Sequence, residues 1–166
     1  MKDITVVDDF FNEKELSILV NNLDKIDFTS LKTKVGDPYG FGHGFTENKD
    51  NKWLFDKIKK HFLKDENLKA VDCSFRLRHN SEKMLPHQDD HVNYLFLAYL
   101  KGKELMYNGT GFYNDVDDDN NINLDRYVGF KVNRAIFFNS FISHSDLQSL
   151  GESSPRYTLN IFYKYD

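Results

Sequence analysis

The 166-residue sequence has a single cysteine, Cys73, and therefore cannot form an intramolecular disulfide. We expect it to work in a reducing compartment, with the cytoplasm as the simplest case. The sequence also has no apolar run near the roughly 20 residues that cross a bilayer, and its start lacks the basic and apolar regions of a secretory signal. These absences predict a soluble protein without a membrane partner.

Clustered positive charge is missing as well. The 22 Lys and Arg residues are outnumbered by 26 Asp and Glu residues, which gives a formal net charge of -4, and no basic stripe alternates with aromatic residues. Because nucleic-acid binding depends on neutralising phosphates, a nucleic-acid partner is not expected. The length fits one domain, residues 1–166, and 40% hydrophobic residues supply its core. The sequence leaves the oligomeric state open.

What the sequence does have is a change of hydrophobic period near residue 70. Before it, two amphipathic helices are predicted near residues 12–24 and 50–63. After it, apolar and polar residues alternate, most clearly in Arg156–Tyr165, as they do in half-buried strands. We predict a mainly β (α+β) fold in which residues 1–69 brace an antiparallel sandwich or barrel of six to eight strands, formed by residues 70–166.

Two stretches are predicted to be loops. Four of the nine glycines fall within residues 36–44, between the two helices. We interpret this stretch as irregular, either a plain connector or a lid over a site that would use Tyr39, Phe41 and His43. Residues 114–125, which are mostly polar, are interpreted as a second, solvated loop.

The first pattern that indicates a chemical site is HxD, in the segment Pro86-His87-Gln88-Asp89-Asp90. Residues two apart in a strand share a face, so His87 and Asp89 would project together. An imidazole and a carboxylate on one face are two of the three ligands of a facial Fe(II) site. Asp90 and His91 leave the exact pair open, and a chance match of the same form occurs at His144-Ser145-Asp146.

A third ligand would have to come from farther along the chain. His144, which follows the apolar strand Ala135–Phe138, is the natural candidate. Beyond it, Arg156 and Thr158 share one face of the last predicted strand. A guanidinium fork and a hydroxyl suit a single carboxylate, and an arginine that faces a barrel interior needs such an anion.

Taken in this order, HxD, His and RxT resemble the motifs of the 2-oxoglutarate/Fe(II) dioxygenase superfamily, especially its small prolyl-hydroxylase-like members. The resemblance covers most of the chain and includes Ile4–Phe11, Gly109–Tyr113 and Gly129–Phe138. There are two departures from the prolyl-hydroxylase pattern. Arg156 stands where those enzymes commonly have lysine, and the tyrosine that often precedes HxD is absent.

This resemblance implies a double-stranded β-helix, a jelly-roll or cupin-like barrel. It implies Fe(II) held by His87, Asp89 and His144, and 2-oxoglutarate chelating that ion with its far carboxylate on Arg156 and Thr158. The implied reaction uses O2 to hydroxylate a peptide side chain, an amino acid or a small metabolite, with formation of succinate and CO2. The aspartate at position 89 argues against halogenation, which usually needs that ligand position vacant.

Two other interpretations remain open from the sequence. A non-redox metal- or ligand-binding cupin-like module would normally bring a His-x-His pair, and the sequence contains none. A degenerate oxygenase fold used as a scaffold would be expected to lose some of the five polar site residues, and all are present. Six further residues near the motifs are interpreted first as structural, although the tyrosines could contact the cosubstrate and the others the substrate: Tyr94, Tyr99, Tyr107, Arg76, Arg78 and Asn139.

Overall fold

The structure, a computed structural model, describes residues 4–32, 38–63, 67–79, 86–114, 123–148 and 150–166. Its helices are α1 (Glu13–Leu23) and α2 (Lys52–Phe62), and a 3-10 turn covers Met106–Asn108. The strands are β1 (Ile4–Val7), β2 (Thr29–Lys32), β3 (Pro38–Gly44), β4 (Leu68–Arg78), β5 (Tyr94–Lys101), β6 (Thr110–Tyr113), β7 (Leu124–Val128), β8 (Ala135–Asn139), β9 (Ser143–Asp146) and β10 (Arg156–Tyr165).

The strands form two antiparallel sheets. The large sheet has the order β1-β8-β5-β10-β4-β3-β2, and the small sheet has the order β7-β6-β9. One hydrophobic layer, which includes Ile58 and Phe96, lies between the large sheet and the helices. A second layer, which includes Leu97 and Phe112, lies between the two sheets. The predicted mainly β fold braced by N-terminal helices is therefore confirmed.

Both predicted helices form, and their ends follow from local sequence. Asn12 caps α1: its side-chain Oδ1 accepts from the Glu15 N–H at 2.9 Å, while Glu15 Oε2 accepts from the Asn12 N–H at 2.9 Å. This reciprocal capping box satisfies two N–H groups that the helix itself leaves unpaired. The helices bury their apolar stripes against the large sheet, through residues such as Leu19 on α1 and Ile58 on α2.

The alternation in β10 gives that strand two different faces. Leu159 and Ile161 are fully buried on the helix side. Arg156 and Thr158 point the other way, toward the small sheet; we call this side of the large sheet the inner face. Thr158 pairs with Tyr99 of β5 and with Arg76 of β4, so those side chains also lie on the inner face.

The prediction of an irregular loop at residues 36–44 is wrong for the residues that the structure describes. Residues 38–44 form β3, which pairs with β2 and β4, whereas residues 36 and 37 lie outside the described part. Gly40 and Gly42 alternate with larger residues because the inner face has no room for a side chain at these two positions. A Cβ at Gly40 would lie 2.9 Å from Arg78 Cδ, and one at Gly42 would lie 3.0 Å from Leu31 Cδ1. Because β3 pairs with a strand on each edge, the structure does not support the interpretation of this stretch as a lid over a site.

The second loop prediction also needs a correction. Leu124 and Asp125 belong to β7 because Leu124 pairs with Tyr113 of β6; residues 115–122 lie outside the described part. A further finding concerns membranes: in the described ranges, neither helix combines the length and the apolar character needed to span a bilayer.

Candidate metal centre

His87 and His144 are brought together by one antiparallel β-bridge between the segment that precedes β5 and strand β9. The His87 N–H donates to the His144 carbonyl at 3.1 Å, and the His144 N–H donates to the His87 carbonyl at 2.9 Å. The segment around His87 forms this single bridge rather than a continuous strand. The backbone of Asp89, the remaining ligand candidate, is held in place as well, because its N–H donates to the Ser140 carbonyl at 3.0 Å.

The three side chains converge at this bridge. His144 Nε2 lies 3.4 Å from Asp89 Oδ2, and His87 Nε2 lies 3.9 Å from Asp89 Oδ1. One donor atom from each residue lies within 4.8 Å of the others. Donors this close can share one metal ion, and two imidazoles with one carboxylate are the donor set of facial Fe(II) sites. The residues therefore fit a divalent transition metal.

Their protonation states also suit a metal. His144 Nδ1 lies 2.9 Å from the Ile142 carbonyl, which can only accept a hydrogen bond, so Nδ1 is the donor of that bond and Nε2, on the Asp89 side, is the nitrogen that would bind a metal. Burial raises the pKa of Asp89, but the hydrogen bond from His144 and the charges of His144, His87 and His91 outweigh it and hold that pKa below its usual range. Asp89 is therefore ionised at neutral pH, as a metal ligand must be.

The neighbouring acid and histidine that left the ligand pair open do not join this cluster. Asp90 and His91 are exposed, and the His91 ring stacks on Phe162 with centroids 6.3 Å apart. Among the described residues, the cluster that could hold a metal consists of His87, Asp89 and His144.

Arg156 lies at the start of β10, on the inner face of the large sheet. It is only 4% exposed, and its Nη1 donates to the Asn108 carbonyl and, at 2.7 Å, to the Gly109 carbonyl. Its Nε is buried and meets no acceptor in the part of the chain that the structure describes. A buried N–H without a partner is costly, so this arrangement suits an anion that would accept from Arg156.

Thr158 and Tyr99 bring hydroxyl groups to the same inner face as Arg156. Thr158 is 3% exposed, and its Oγ1 donates to Asn160 Oδ1 at 2.7 Å. Tyr99 is fully buried, its phenol lies 2.7 Å from Thr110 Oγ1, and its ring centroid is 5.6 Å from the Arg156 guanidinium carbon. Burial raises the pKa of Tyr99 despite that nearby cation, so the phenol stays neutral and can donate.

The other two tyrosines that the sequence singled out lie elsewhere. Tyr94 stacks on Phe137 on the helix side of the large sheet, with ring centroids 5.3 Å apart. Tyr107 lies outside the core clusters, and a Cβ at Gly151 would touch its ring. Tyr99 is therefore the one of the three that approaches Arg156.

Sequence reasoning missed Asp146, which it treated as part of a chance HxD match. Asp146 lies two residues beyond His144 on β9, faces the same way, and is 5% exposed. Its Oδ2 lies 3.5 Å from Arg78 Nε. The alternation of β9 was the available signal, because residues two apart in a strand share a face.

Comparisons with known proteins come from structure alone, since neither a protein-family model nor a curated protein matches the sequence. A Trichoplax adhaerens prolyl hydroxylase, solved with a hypoxia-inducible-factor peptide fragment, is 13% identical with a TM-score of 0.71, over 99% of this chain and 84% of that one. A Pseudomonas putida prolyl-4-hydroxylase is 12% identical with a TM-score of 0.66, over 100% and 94%.

A third similar structure has a different activity. The α-ketoglutarate-dependent epimerase SnoN from nogalamycin biosynthesis is 11% identical with a TM-score of 0.65, over 99% of this chain and 79% of that one. The likeness therefore extends from end to end and spans hydroxylases and an epimerase. The chain has the double-stranded β-helix fold of the 2-oxoglutarate/Fe(II) oxygenase superfamily and resembles its prolyl-hydroxylase branch.

Proposed function

We propose that residues 1–166 form one oxygenase domain that uses Fe(II) and 2-oxoglutarate to hydroxylate a peptide side chain, an amino acid or a small metabolite. The observation that carries this proposal is a chain of contacts that links the metal triad to the buried Arg156. His144 and Asp146 are two residues apart on β9, a step of about 7 Å, and Asp146 pairs with Thr110, which bonds Tyr99 beneath Arg156. A dicarboxylate that chelates the metal at one end would place its other carboxylate at Arg156.

Each residue of the two sites would have a separate task. His87, Asp89 and His144 would hold the ion and leave its other coordination positions open for cosubstrate and O2. Arg156 and Thr158 would bind the far carboxylate of 2-oxoglutarate, with the Tyr99 phenol beside them. When bound, the metal and 2-oxoglutarate supply the oxidative chemistry, in which 2-oxoglutarate and O2 give succinate, CO2 and a hydroxylated substrate.

The walls of the site would keep water away from that chemistry. Leu97, Phe112, Ile136 and Phe138 are buried in the layer between the sheets, and the rings of Phe138 and His144 lie 4.9 Å apart between centroids. An apolar wall strengthens every charge interaction inside it and limits side reactions with water. The same packing fixes the orientation of the His144 ring.

The second candidate function is a non-redox cupin-like module that binds a metal or ligand. The triad alone would serve it equally well. The buried Arg156 Nε without an acceptor favours the oxygenase, because a plain metal-binding module has no use for a second, buried cation that needs an anion.

One experiment separates the two candidates. The protein would be loaded with Fe(II) under anaerobic conditions and titrated with 2-oxoglutarate, with the visible absorption of an Fe(II)–2-oxo acid chelate as the readout. Air would then be admitted, and succinate measured with and without candidate substrates. An oxygenase gives the absorption band and succinate, and Asp89→Ala abolishes both. Metal binding without either signal would support the cupin-like module.

A further inference from the structure

Three arginines, rather than one, lie on the inner face. In the ladder between β10 and β4, Arg156 pairs with Arg78 and Thr158 pairs with Arg76. Residues directly opposite each other in an antiparallel pair point to the same side of the sheet. Strand β4 therefore adds two guanidinium groups to the surface that carries Arg156.

Two of these three cations have an anion assigned to them. Arg78 faces the buried carboxylate of Asp146, with 3.5 Å between Nε and Oδ2. Arg156 would receive the far carboxylate of 2-oxoglutarate, so this step rests on the proposed function. Arg76 is left over: within the described ranges, no carboxylate lies within 4.0 Å of its nitrogens, and its one bond is to a hydroxyl.

The surroundings of Arg76 hold its side chain and leave space nearby. Its Nε donates to Ser74 Oγ at 2.7 Å, which fixes the guanidinium while both terminal nitrogens keep their hydrogens for another acceptor. Ser74 pairs with Asn160 on one side and with Gly44 on the other. At Gly42, directly opposite Arg76, a Cβ would lie 3.0 Å from Leu31 Cδ1. At Gly44, opposite Ser74, a Cβ would meet only the Cys73 carbonyl, at 3.8 Å, so the open space lies beside Ser74, the residue that holds the Arg76 Nε.

We propose that Arg76 binds an anionic group of the substrate, a carboxylate or a phosphate, and so makes the enzyme selective for acidic substrates. The half-buried guanidinium of Arg76 has no acidic partner among the described residues, so its charge is available to a ligand. The planar fork of arginine matches both anions, with two parallel hydrogen bonds. Ser74, which accepts from Arg76, and Thr158, which pairs with it, are neutral and do not compete for the cation.

The test uses pairs of probes that differ only in charge. N-acetyl amino-acid amides with a glutamate or a glutamine side chain test the carboxylate, and those with a phosphoserine or a serine side chain test the phosphate. Calorimetry on protein loaded with Mn(II) and saturated with 2-oxoglutarate measures binding without turnover. The variants are Arg76→Gln and Arg76→Lys, and Arg126→Gln, on exposed strand β7, is the control with the same change of charge.

We expect at least one acidic probe to bind about tenfold or more tightly than its neutral partner, as one charge-assisted hydrogen bond allows. Arg76→Gln removes that preference, Arg76→Lys restores part of it, and Arg126→Gln leaves it unchanged. The affinity for 2-oxoglutarate is unchanged in Arg76→Gln.

Three outcomes would overturn the assignment. They are equal affinity for charged and neutral probes (absence of binding by either included), a preference that survives Arg76→Gln, and a loss of 2-oxoglutarate affinity in Arg76→Gln. If the parent protein itself fails to bind 2-oxoglutarate, the proposed function fails instead. The probe pairs would then be measured with Mn(II) alone, where the same preference and the same three outcomes apply.

Discussion

His87 and His144 face each other across a backbone bridge in which each N–H donates to the other's carbonyl. The bridge joins the segment before β5 to strand β9, and it places both imidazoles beside Asp89. Because the bridge uses only main-chain atoms, replacing either side chain leaves it in place. Loss of metal in such a variant therefore reports on the ligand and not on the bridge.

The first prediction concerns these ligands. His87→Ala, Asp89→Ala and His144→Ala should each lower Fe(II) affinity by more than about a hundredfold, since even residues that only support a ligand change it by about ten- to a hundredfold. Equilibrium dialysis measures the affinity, and circular dichroism checks the fold. His91→Ala is the matched control, because that ring stacks on Phe162 outside the cluster. Unchanged metal stoichiometry in all three ligand variants would contradict the assignment.

The second prediction concerns Arg156 as the anchor of 2-oxoglutarate. Charge-assisted hydrogen bonds contribute roughly 1.5–3 kcal/mol each, so Arg156→Ala should weaken 2-oxoglutarate binding by about ten- to a hundredfold. Arg156→Lys keeps the charge without the fork and should be intermediate. Calorimetry on Mn(II)-loaded protein gives both values, and metal affinity should be the same in all variants. Binding of 2-oxoglutarate by Arg156→Ala as tight as in the parent would refute this role.

Much of this arrangement could be predicted because strand alternation is a local property. The two-residue period of the last strand predicts that Arg156 and Thr158 share one face. The apolar strand before His144 indicates that the chain runs through the core just before this ligand. The capping box at Asn12 and Glu15 likewise fixes the start of α1 within four residues of chain. In each case the interacting residues are close in sequence, so the pattern alone carries the information.

What sequence reasoning missed depends on contacts between distant strands. Glycine density at residues 38–44 indicated a loop, yet these residues form a strand because they pair with β2 and β4. Glycine fits at positions 40 and 42 because Arg78 and Leu31 occupy the space where side chains would lie. Asp146 was overlooked because its partner, Arg78, lies on β4, far earlier in the sequence. Tyr99 was interpreted as a core aromatic, which its burial supports, but its closeness to Arg156 follows from the pairing of β5 with β10.

The third prediction concerns stability and pH. The hydrogen bonds from Arg134, followed by Lys131, lower the pKa of Asp8 to about 2, against an ordinary value of 3.8. A depressed carboxylate pKa stabilises the fold above the ordinary value, and this contribution disappears as the pH falls through the folded pKa. Asp8→Asn should therefore destabilise the protein at about pH 7, by about 1 kcal/mol or less because Asp8 is 40% exposed and screened by solvent. Urea unfolding at several pH values should show the difference narrowing below about pH 4; a constant difference would contradict it.

The fourth prediction assigns Tyr99 to the 2-oxoglutarate pocket rather than to packing alone. Tyr99→Phe keeps the ring, removes the phenol that bonds Thr110, and leaves a buried hydroxyl without that partner, which should cost about 1–3 kcal/mol of folding stability. If the phenol also supports the cosubstrate carboxylate beside Arg156, 2-oxoglutarate binding should weaken several-fold while metal affinity stays constant. Tyr94→Phe is the matched control, because its ring stacks on Phe137 on the opposite side of the same sheet. Calorimetry and thermal unfolding on both variants separate the two roles. If Tyr99→Phe loses stability but binds 2-oxoglutarate as tightly as the parent, Tyr99 serves only in core packing and the prediction is wrong.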